Sequence, residues 1–280
     1  MSYQQYRPSS FNILPVVIKN LLIINTILWL AETVFEEQLG FSINQNFGLY
    51  FPLSSLFEPY QYVTHLFLHG NFTHLLLNMF SLWMFGAVLE NYWGPKRFLT
   101  YYFITGLGAA FIHTLSTWYE IHQFSNTISM YASSPNVMDF IALMKKNAMY
   151  LSGDYIAELN TFINNWEMNQ GDPAMASQSV TFAEKLIDFK MNVPTVGASG
   201  AVFGLLLAFG MLFPNQVIYL YFAIPIKAKY FVILYGLVEL FYGFSNNPGD
   251  NVAHFAHLGG MLFGFFMIKY WNKKNRQDFY

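Results

Sequence analysis

The stretch GASGAVFG, residues 197–204, places one serine among small residues at the start of an apolar run that continues to Phe213. A serine in such a run either packs a close helix contact or supplies a reactive hydroxyl. The composition favours a membrane setting, since 54% of the 280 residues are hydrophobic and 11% are charged. Soluble domains have about a quarter of their residues charged. The sequence therefore predicts an integral membrane protein.

Six apolar runs approach the roughly 20 residues that are needed to cross a bilayer. They lie near Val16–Phe35, Phe72–Leu89, Phe98–Trp118, Ser199–Phe213, Tyr230–Phe244 and Val252–Trp271. The first run follows a polar stretch and lacks a small-residue cleavage site, so we interpret it as a retained anchor. The fourth is short and begins with glycine and serine, so we expect it to be buried against neighbouring helices. The predicted fold is all-α, a polytopic bundle of six transmembrane helices.

Basic residues predict the orientation of this bundle, because cytoplasmic segments of membrane proteins are enriched in lysine and arginine. With the N-terminus inside, the cytoplasmic segments and their flanks hold ten of the 14 basic residues, and the first outer loop, residues 36–71, holds none. Both termini are therefore predicted to be cytoplasmic, as tails of residues 1–15 and 272–280.

Residues 119–193 are the one segment with a soluble composition. They separate helices 1–3 of the core, in residues 16–118, from helices 4–6, in residues 194–271. The segment holds eight acidic residues against four lysines, and its apolar residues recur at helical spacing on both sides of a break at residues 171–173. We predict an extracytoplasmic insertion of two or three amphipathic helices, which form either a small domain or a layer on the membrane surface.

Polar residues inside the apolar runs indicate where chemistry occurs, because ionisable groups at membrane depth are costly. His257 precedes Gly260 by three residues and Gly264 by seven, so a GxxxG face lies one turn from its imidazole. The small residues of 197–204 offer a matching surface. Ser199 and His257 are then expected to meet, with the imidazole acting as the base that activates the hydroxyl.

His74 and Asn78 are four residues apart and so share one helix face. An imidazole or amide N–H directed at a developing oxyanion stabilises it by roughly 3–4 kcal/mol. Backbone N–H groups at the start of the Ser199 helix can add to this. No carboxylate lies near either motif in the sequence, so we predict a Ser–His dyad rather than a triad. His254 lies one turn nearer the outer surface, which favours His257 as the base.

These motifs resemble those of the rhomboid intramembrane serine proteases. GASG is similar to that family's nucleophile motif, HLLLN (74–78) to its oxyanion motif, and AHLGGMLFG (256–264) to its base-and-glycine motif. The resemblance implies that Ser199 and His257 are catalytic, that His74 and Asn78 hold the oxyanion, and that no cofactor or metal is needed. Phe203 occupies a place where a tyrosine often stacks on the histidine. The residues implied to pack the dyad are Gly197, Gly200, Phe203, Gly260 and Gly264.

The resemblance also implies the setting of the reaction. Substrates would be transmembrane proteins cleaved in or beside their membrane segments, membrane lipid would be a partner, and the location would be a bacterial inner membrane. The net charge of −2 argues against a nucleic-acid partner. We expect the loop Ser245–Asn251, SNNPGDN, to act as a mobile lid. The first outer loop lacks the Trp-Arg pair that the family often carries before its second helix.

The same residues, and the chain as a whole, have other interpretations. His65, His69 and His74 could indicate a metal site, although their spacing matches no common zinc pattern. Glu239, near the outer end of the fifth run, could be a proton relay, or could be hydrated or bonded to backbone. The whole chain could be a catalytically inactive rhomboid-like chaperone, or a solute transporter, which would be expected to show internal repeats.

Overall fold

The computed structural model describes residues 11–151, 153–220, 223–245 and 252–277, and these are largely α-helical. The helices of the described residues are α1 (Val16–Leu39), α2 (Ile43–Phe47), α3 (Gln61–Thr64), α4 (Phe72–Trp93), α5 (Pro95–Ser133), α6 (Val137–Lys146), α7 (Gly153–Met168), α8 (Pro173–Met191), α9 (Ser199–Leu212), α10 (Ala228–Phe244) and α11 (His254–Gln277). Short 3-10 helices lie at His65–Phe67 and Ala148–Tyr150. The six apolar runs fall on α1, α4, α5, α9, α10 and α11, so the helical membrane fold is confirmed.

Three of the helices in the described residues are long and apolar enough to cross a membrane by length and composition: Val16–Leu39, Phe72–Trp93 and Pro95–Ser133. The fourth apolar run forms the shorter helix α9, whose 14 residues extend about 21 Å against a hydrocarbon thickness of about 30 Å. Ten of its residues are buried. The expectation that this helix is enclosed by its neighbours is therefore confirmed, and its N-terminal end, where Ser199 lies, can sit below the membrane surface.

The helix that contains the third apolar run extends beyond the end of that run. The predicted span ended near Trp118, whereas α5 is one helix of 39 residues that ends at Ser133. No proline or glycine occurs between Tyr119 and Ser133 to interrupt it. The helix ends before Pro135, because a proline disfavours the helical conformation of the residue that precedes it.

The insertion has a hydrophobic core of its own. Helices α6, α7 and α8 pack with the C-terminal part of α5 around Phe140, Trp166 and Leu186, each at most 1% exposed. The predicted break falls between α7 and α8, where Asp172 caps α8 by accepting a hydrogen bond from Ala174 N–H. The amphipathic helices are confirmed, and of the two arrangements left open the packed one is present.

Two short strands, β1 (Val217–Leu220) and β2 (Ile224–Lys227), pair antiparallel between α9 and α10, with Val217 opposite Lys227. The all-α prediction did not include this hairpin. Its strands are four residues each, which is too short for an alternating pattern to stand out from the apolar runs on either side.

Glycines bring α9, α11 and α5 into close contact. A Cβ on Gly260 would overlap the Gly200 carbonyl oxygen, and a Cβ on Gly264 would overlap the Tyr101 hydroxyl. That hydroxyl donates a 2.9 Å hydrogen bond to the Gly204 carbonyl, a backbone acceptor buried in the same contact. The predicted GxxxG contact between α9 and α11 is therefore present, and it sets the height of His257 relative to Ser199.

Candidate active site

Ser199 is the first residue of α9, and the chain that leads to it is hydrogen-bonded to the segment between α1 and α4. Thr195 and Leu49 exchange two backbone hydrogen bonds of 2.8 and 2.9 Å, and Gly197 N–H donates to the His65 carbonyl at 2.9 Å. Gly197 has φ +133°, a conformation that side chains rarely adopt. A Cβ there would also lie 2.8 Å from the His74 ring. Glycine is therefore required two residues before Ser199, both for its backbone conformation and for the space beside it.

Ser199 Oγ lies 2.9 Å from His257 Nε2, across the seam between α9 and α11. His257 is 7% exposed. A base must lie within about 2.6–3.2 Å of a hydroxyl to take its proton, and this contact meets that requirement. The structure thus brings together the two residues that the sequence paired.

Phe203, one turn after Ser199, fixes the orientation of the imidazole. Its ring stacks on His257 with a centroid separation of 4.1 Å and an interplanar angle of 5°. Tyr235 of α10 packs on Phe203, with ring centroids 5.3 Å apart. The expectation that Phe203 supplies an aromatic face to the histidine is met without the hydroxyl of a tyrosine.

A carboxylate contacts the other side of His257. Glu239 of α10 is 6% exposed, and its Oε2 lies 2.8 Å from His257 Nδ1 and 2.7 Å from His254 Nδ1. The inference that the residues allow only a dyad, because no carboxylate lies near either motif, was therefore wrong about the geometry. Glu239 is 18 residues from His257 and on another helix, so proximity in the sequence could not reveal it. The available signal was that Glu239 is the one charged residue in the run Tyr230–Phe244.

His254 and His257 differ in what they contact. His254 Nδ1 bonds Glu239, and its ring lies nearly parallel to Tyr242 at a centroid distance of 5.7 Å. The hydroxyl of Ser199 pairs with His257. The geometry agrees with the sequence-based choice of His257 over His254.

His74 lies beside the turn that holds Ser199, while the Asn78 side chain is hydrogen-bonded within its own helix. The position of a Cβ on Gly197 would be 2.8 Å from His74 Cε1 and 3.6 Å from Ser199 Oγ, so the imidazole flanks the serine turn. Asn78 is 4% exposed, and its Nδ2 donates to the His74 carbonyl at 3.0 Å. In this conformation the Asn78 amide is held one turn along α4 from His74.

The histidines of the outer loop do not form a metal cluster with His74 in the described residues. His65 Nδ1 bonds the Gln61 carbonyl at 2.8 Å. His69 is 1% exposed, neither of its ring nitrogens has a hydrogen-bond partner there, and its ring meets that of His74 edge-on at 5.1 Å. Burial, with a smaller contribution from His74, lowers the pKa of His69 to about 3, so its imidazole is neutral.

One other group in the described residues could hold a metal ion. The donor atoms of Glu239, His254 and His257 lie within 4.8 Å of one another. The hydrogen bonds from both imidazoles to Glu239 already satisfy these atoms. The predicted lid, Ser245–Asn251, lies outside the described residues except for Ser245.

One known protein family matches most of this chain. The family described as the Rhomboid domain matches residues 56–120 and 118–273, which hold all the site residues named above. The chain belongs to the rhomboid family. The resemblance drawn from GASG, HLLLN and AHLGG is thereby confirmed, and this rhomboid is an integral membrane protein with a helical fold.

Curated relatives of this rhomboid come from bacteria and from organelles. The chain is 30% identical over 105 residues to rhomboid protease AarA of Providencia stuartii, covering 36% of this chain and 37% of that protein. It is 26% identical over 227 residues to an uncharacterised mitochondrial rhomboid protein of Schizosaccharomyces pombe, covering 75% and 51%. It is 26% identical over 247 residues to the mitochondrial RHOMBOID-like protein 12 of Arabidopsis thaliana, covering 87% and 55%. The matches thus span about a third to a half of the relatives' own lengths.

Proposed function

We propose that this rhomboid is an intramembrane serine protease that hydrolyses peptide bonds in or beside the transmembrane segments of membrane proteins. The observation that carries the proposal is the 2.9 Å contact between Ser199 Oγ and His257 Nε2 at the buried end of α9. Membership of the rhomboid family and the name of the Providencia relative support the same reaction class.

The proposed reaction has two halves. Ser199 Oγ attacks the scissile carbonyl carbon while His257 Nε2 takes the hydroxyl proton, and the proton then passes to the departing amine. This leaves an acyl ester on Ser199 and a free amine. In the second half His257 removes a proton from water, the resulting hydroxide attacks the ester, and the serine leaves with its proton restored. No cofactor enters either half.

The carbonyl oxygen becomes negatively charged in each half, and His74 and Asn78 are the side chains we assign to it. His74 lies beside the serine turn, which supports its role directly. The Asn78 amide now donates to the His74 carbonyl. Asn78 can bind the oxyanion as well if its amide releases that carbonyl and donates to the substrate oxygen instead. The Ser199 backbone N–H, at the start of α9, is a further donor that we assign to the oxyanion.

Covalent labelling with a fluorophosphonate reagent tests the proposal. The reagent reacts with serines that a base activates, so we expect it to modify the folded protein at Ser199, as located by peptide mass spectrometry. Protein that is heat-denatured before the reagent is added should not be labelled. An inactive rhomboid-like chaperone or a solute transporter would give no labelling above this denatured control, and such a result would contradict the protease assignment.

The topology is a second part of the proposal. We place both termini in the cytoplasm and residues 119–193 on the opposite side, on the strength of the lysine and arginine distribution. One relative comes from Providencia stuartii, and others are mitochondrial or chloroplastic by name. A bacterial inner membrane stays a prediction for this chain.

We expect a protease added outside oriented cells or spheroplasts to cut the insertion. The stretch 169–172 between α7 and α8 is exposed and joins two helices, which makes it a suitable site. Fragment sizes on a gel would report the cut. A tag at residue 280 should be digested only in inverted vesicles, and the reverse pattern would show that the orientation is wrong.

A further inference from the structure

Three glutamates are buried in the described part of the chain, and two of them bind backbone. Glu90 accepts hydrogen bonds of 2.9 Å from the N–H groups of Val17 and Ile18, at the start of α1. Glu32 accepts from the Ser42 hydroxyl and from the N–H groups of Ile43 and Asn44, at the start of α2. Each carboxylate satisfies the free N–H groups at a helix N-terminus, so both have a complete structural explanation.

Glu239 differs from these two because its partners are imidazoles. His254 and His257 direct their Nδ1 atoms at the same oxygen, Oε2, from distances of 2.7 and 2.8 Å. Among the described residues its hydrogen-bond partners are these two imidazoles and not the backbone N–H groups of a helix N-terminus. An ionised carboxylate away from water is costly unless it accepts hydrogen bonds, so the two imidazoles compensate it.

The hydrogen bonds to Glu239 set the positions of the imidazole protons when its carboxyl group is ionised. A carboxylate has no proton to donate, so both Nδ1 atoms must carry hydrogen. A neutral His257 with hydrogen on Nδ1 has its lone pair on Nε2, and Nε2 is the atom that faces Ser199 Oγ at 2.9 Å. The contact with Glu239 therefore selects the tautomer that can accept the serine proton.

We infer that Glu239 is a positioning residue of the protease, which holds His257 in the Nδ1–H tautomer and stabilises the imidazolium that forms when Ser199 attacks. The inference rests on the proposed function. His254 anchors the carboxylate by donating a hydrogen bond to the same oxygen, Oε2. During the reaction the proton moves from Ser199 Oγ to His257 Nε2 and then to the leaving amine, and Glu239 stays ionised throughout.

Removing the charge while keeping the shape of the side chain separates this role from a structural one. Glu239→Gln should lower kcat on a transmembrane substrate, and the rate of fluorophosphonate labelling of Ser199, by about 100-fold each, within the range for loss of an orienting or proton-transfer group. KM should change by less than about threefold, because Glu239 acts through His257 rather than on bound substrate.

Glu90→Gln is the matched control, since it neutralises another buried carboxylate in the same bundle. It weakens the start of α1, so the melting temperature should fall while kcat per folded molecule stays within about twofold. Wild-type kcat and labelling rate in a folded Glu239→Gln protein would overturn the inference. Equal losses of kcat in both variants would also overturn it, because a general loss of stability would then explain the effect.

Nitrogen-15 NMR of the histidines gives a readout that depends neither on turnover nor on a Glu239 variant. In the wild-type protein, His257 should show hydrogen on Nδ1, with its signals assigned by their disappearance in His257→Asn. Hydrogen predominantly on Nε2 would contradict the inference. If His257 shows the expected tautomer but Ser199 is never labelled, the protease proposal fails and the positioning geometry stands. If Ser199 is labelled and Glu239→Gln is fully active, the protease proposal stands and the role of Glu239 fails.

Discussion

Ser199→Ala will abolish cleavage of a single-pass reporter protein, with a loss of at least about 10⁴-fold in kcat, the size expected when a nucleophile is removed. The change deletes one oxygen whose contact is the 2.9 Å hydrogen bond to His257 Nε2. Stability should change by only about 1 kcal/mol, the net contribution of a single hydrogen bond. Cleavage by purified protein in liposomes, followed on gels, measures the first quantity, and thermal unfolding measures the second.

Ser129→Ala provides the control for this variant. Ser129 lies on the exposed face of α5, and its hydroxyl bonds the Ser125 carbonyl of the same helix. We expect its turnover to match that of the wild type. Residual cleavage by Ser199→Ala above the uncatalysed background would show that another residue is the nucleophile, and the protease mechanism built on α9 would then be wrong.

The second large effect separates two histidines that are three residues apart. His257→Ala should reduce turnover by several orders of magnitude, because Ser199 then has no base. His254→Ala should reduce it by at most about tenfold, because His254 contacts Glu239, whereas His257 contacts Ser199 itself. Turnover of both variants on one substrate, in detergent and in liposomes, measures the difference.

Each variant is the other's control, since both remove an imidazole from the first turns of α11. A dead His254→Ala protein beside an active His257→Ala protein would mean that the register of α11 against α9 differs from the one set by Gly260 and Gly200. Comparable losses in both would mean that the two imidazoles act as one unit around Glu239.

Local patterns in the sequence were enough to predict the bundle and the central pair. Apolar runs report helices because membrane burial is a property of each segment by itself. The glycines at 260 and 264 predict a close helix contact, because small residues allow two helix backbones to approach each other. Once α9 and α11 are in contact, the spacing from Gly260 back to His257 places the imidazole at the serine.

The features that the sequence did not predict depend on contacts between segments that carry no mutual signal. Glu239 lies on α10, and whether its side chain faces His257 depends on the rotation of α10 about its axis relative to α11. Phe140 and Trp166 pack on the same cluster from different helices, so only the folded insertion reveals a core rather than a surface layer. The length of α5 was missed because hydropathy falls after Trp118 although helix formation continues.

Because α5 is continuous, it connects the insertion mechanically to the contact beside Ser199. Gly108 of α5 meets the ring of Phe263, and the methyl of Ala109 fills the space beside Gly200, the residue after Ser199. From Ala109 to Ser133, α5 forms an arm about 36 Å long. A tilt of a few degrees about the Ala109 contact therefore displaces Ser133 by about 3 Å. We therefore expect a displacement of the insertion to reach the contact beside Ser199 through α5, with a smaller amplitude there than at Ser133. Excising residues 119–193 would shorten the arm as well as remove a domain.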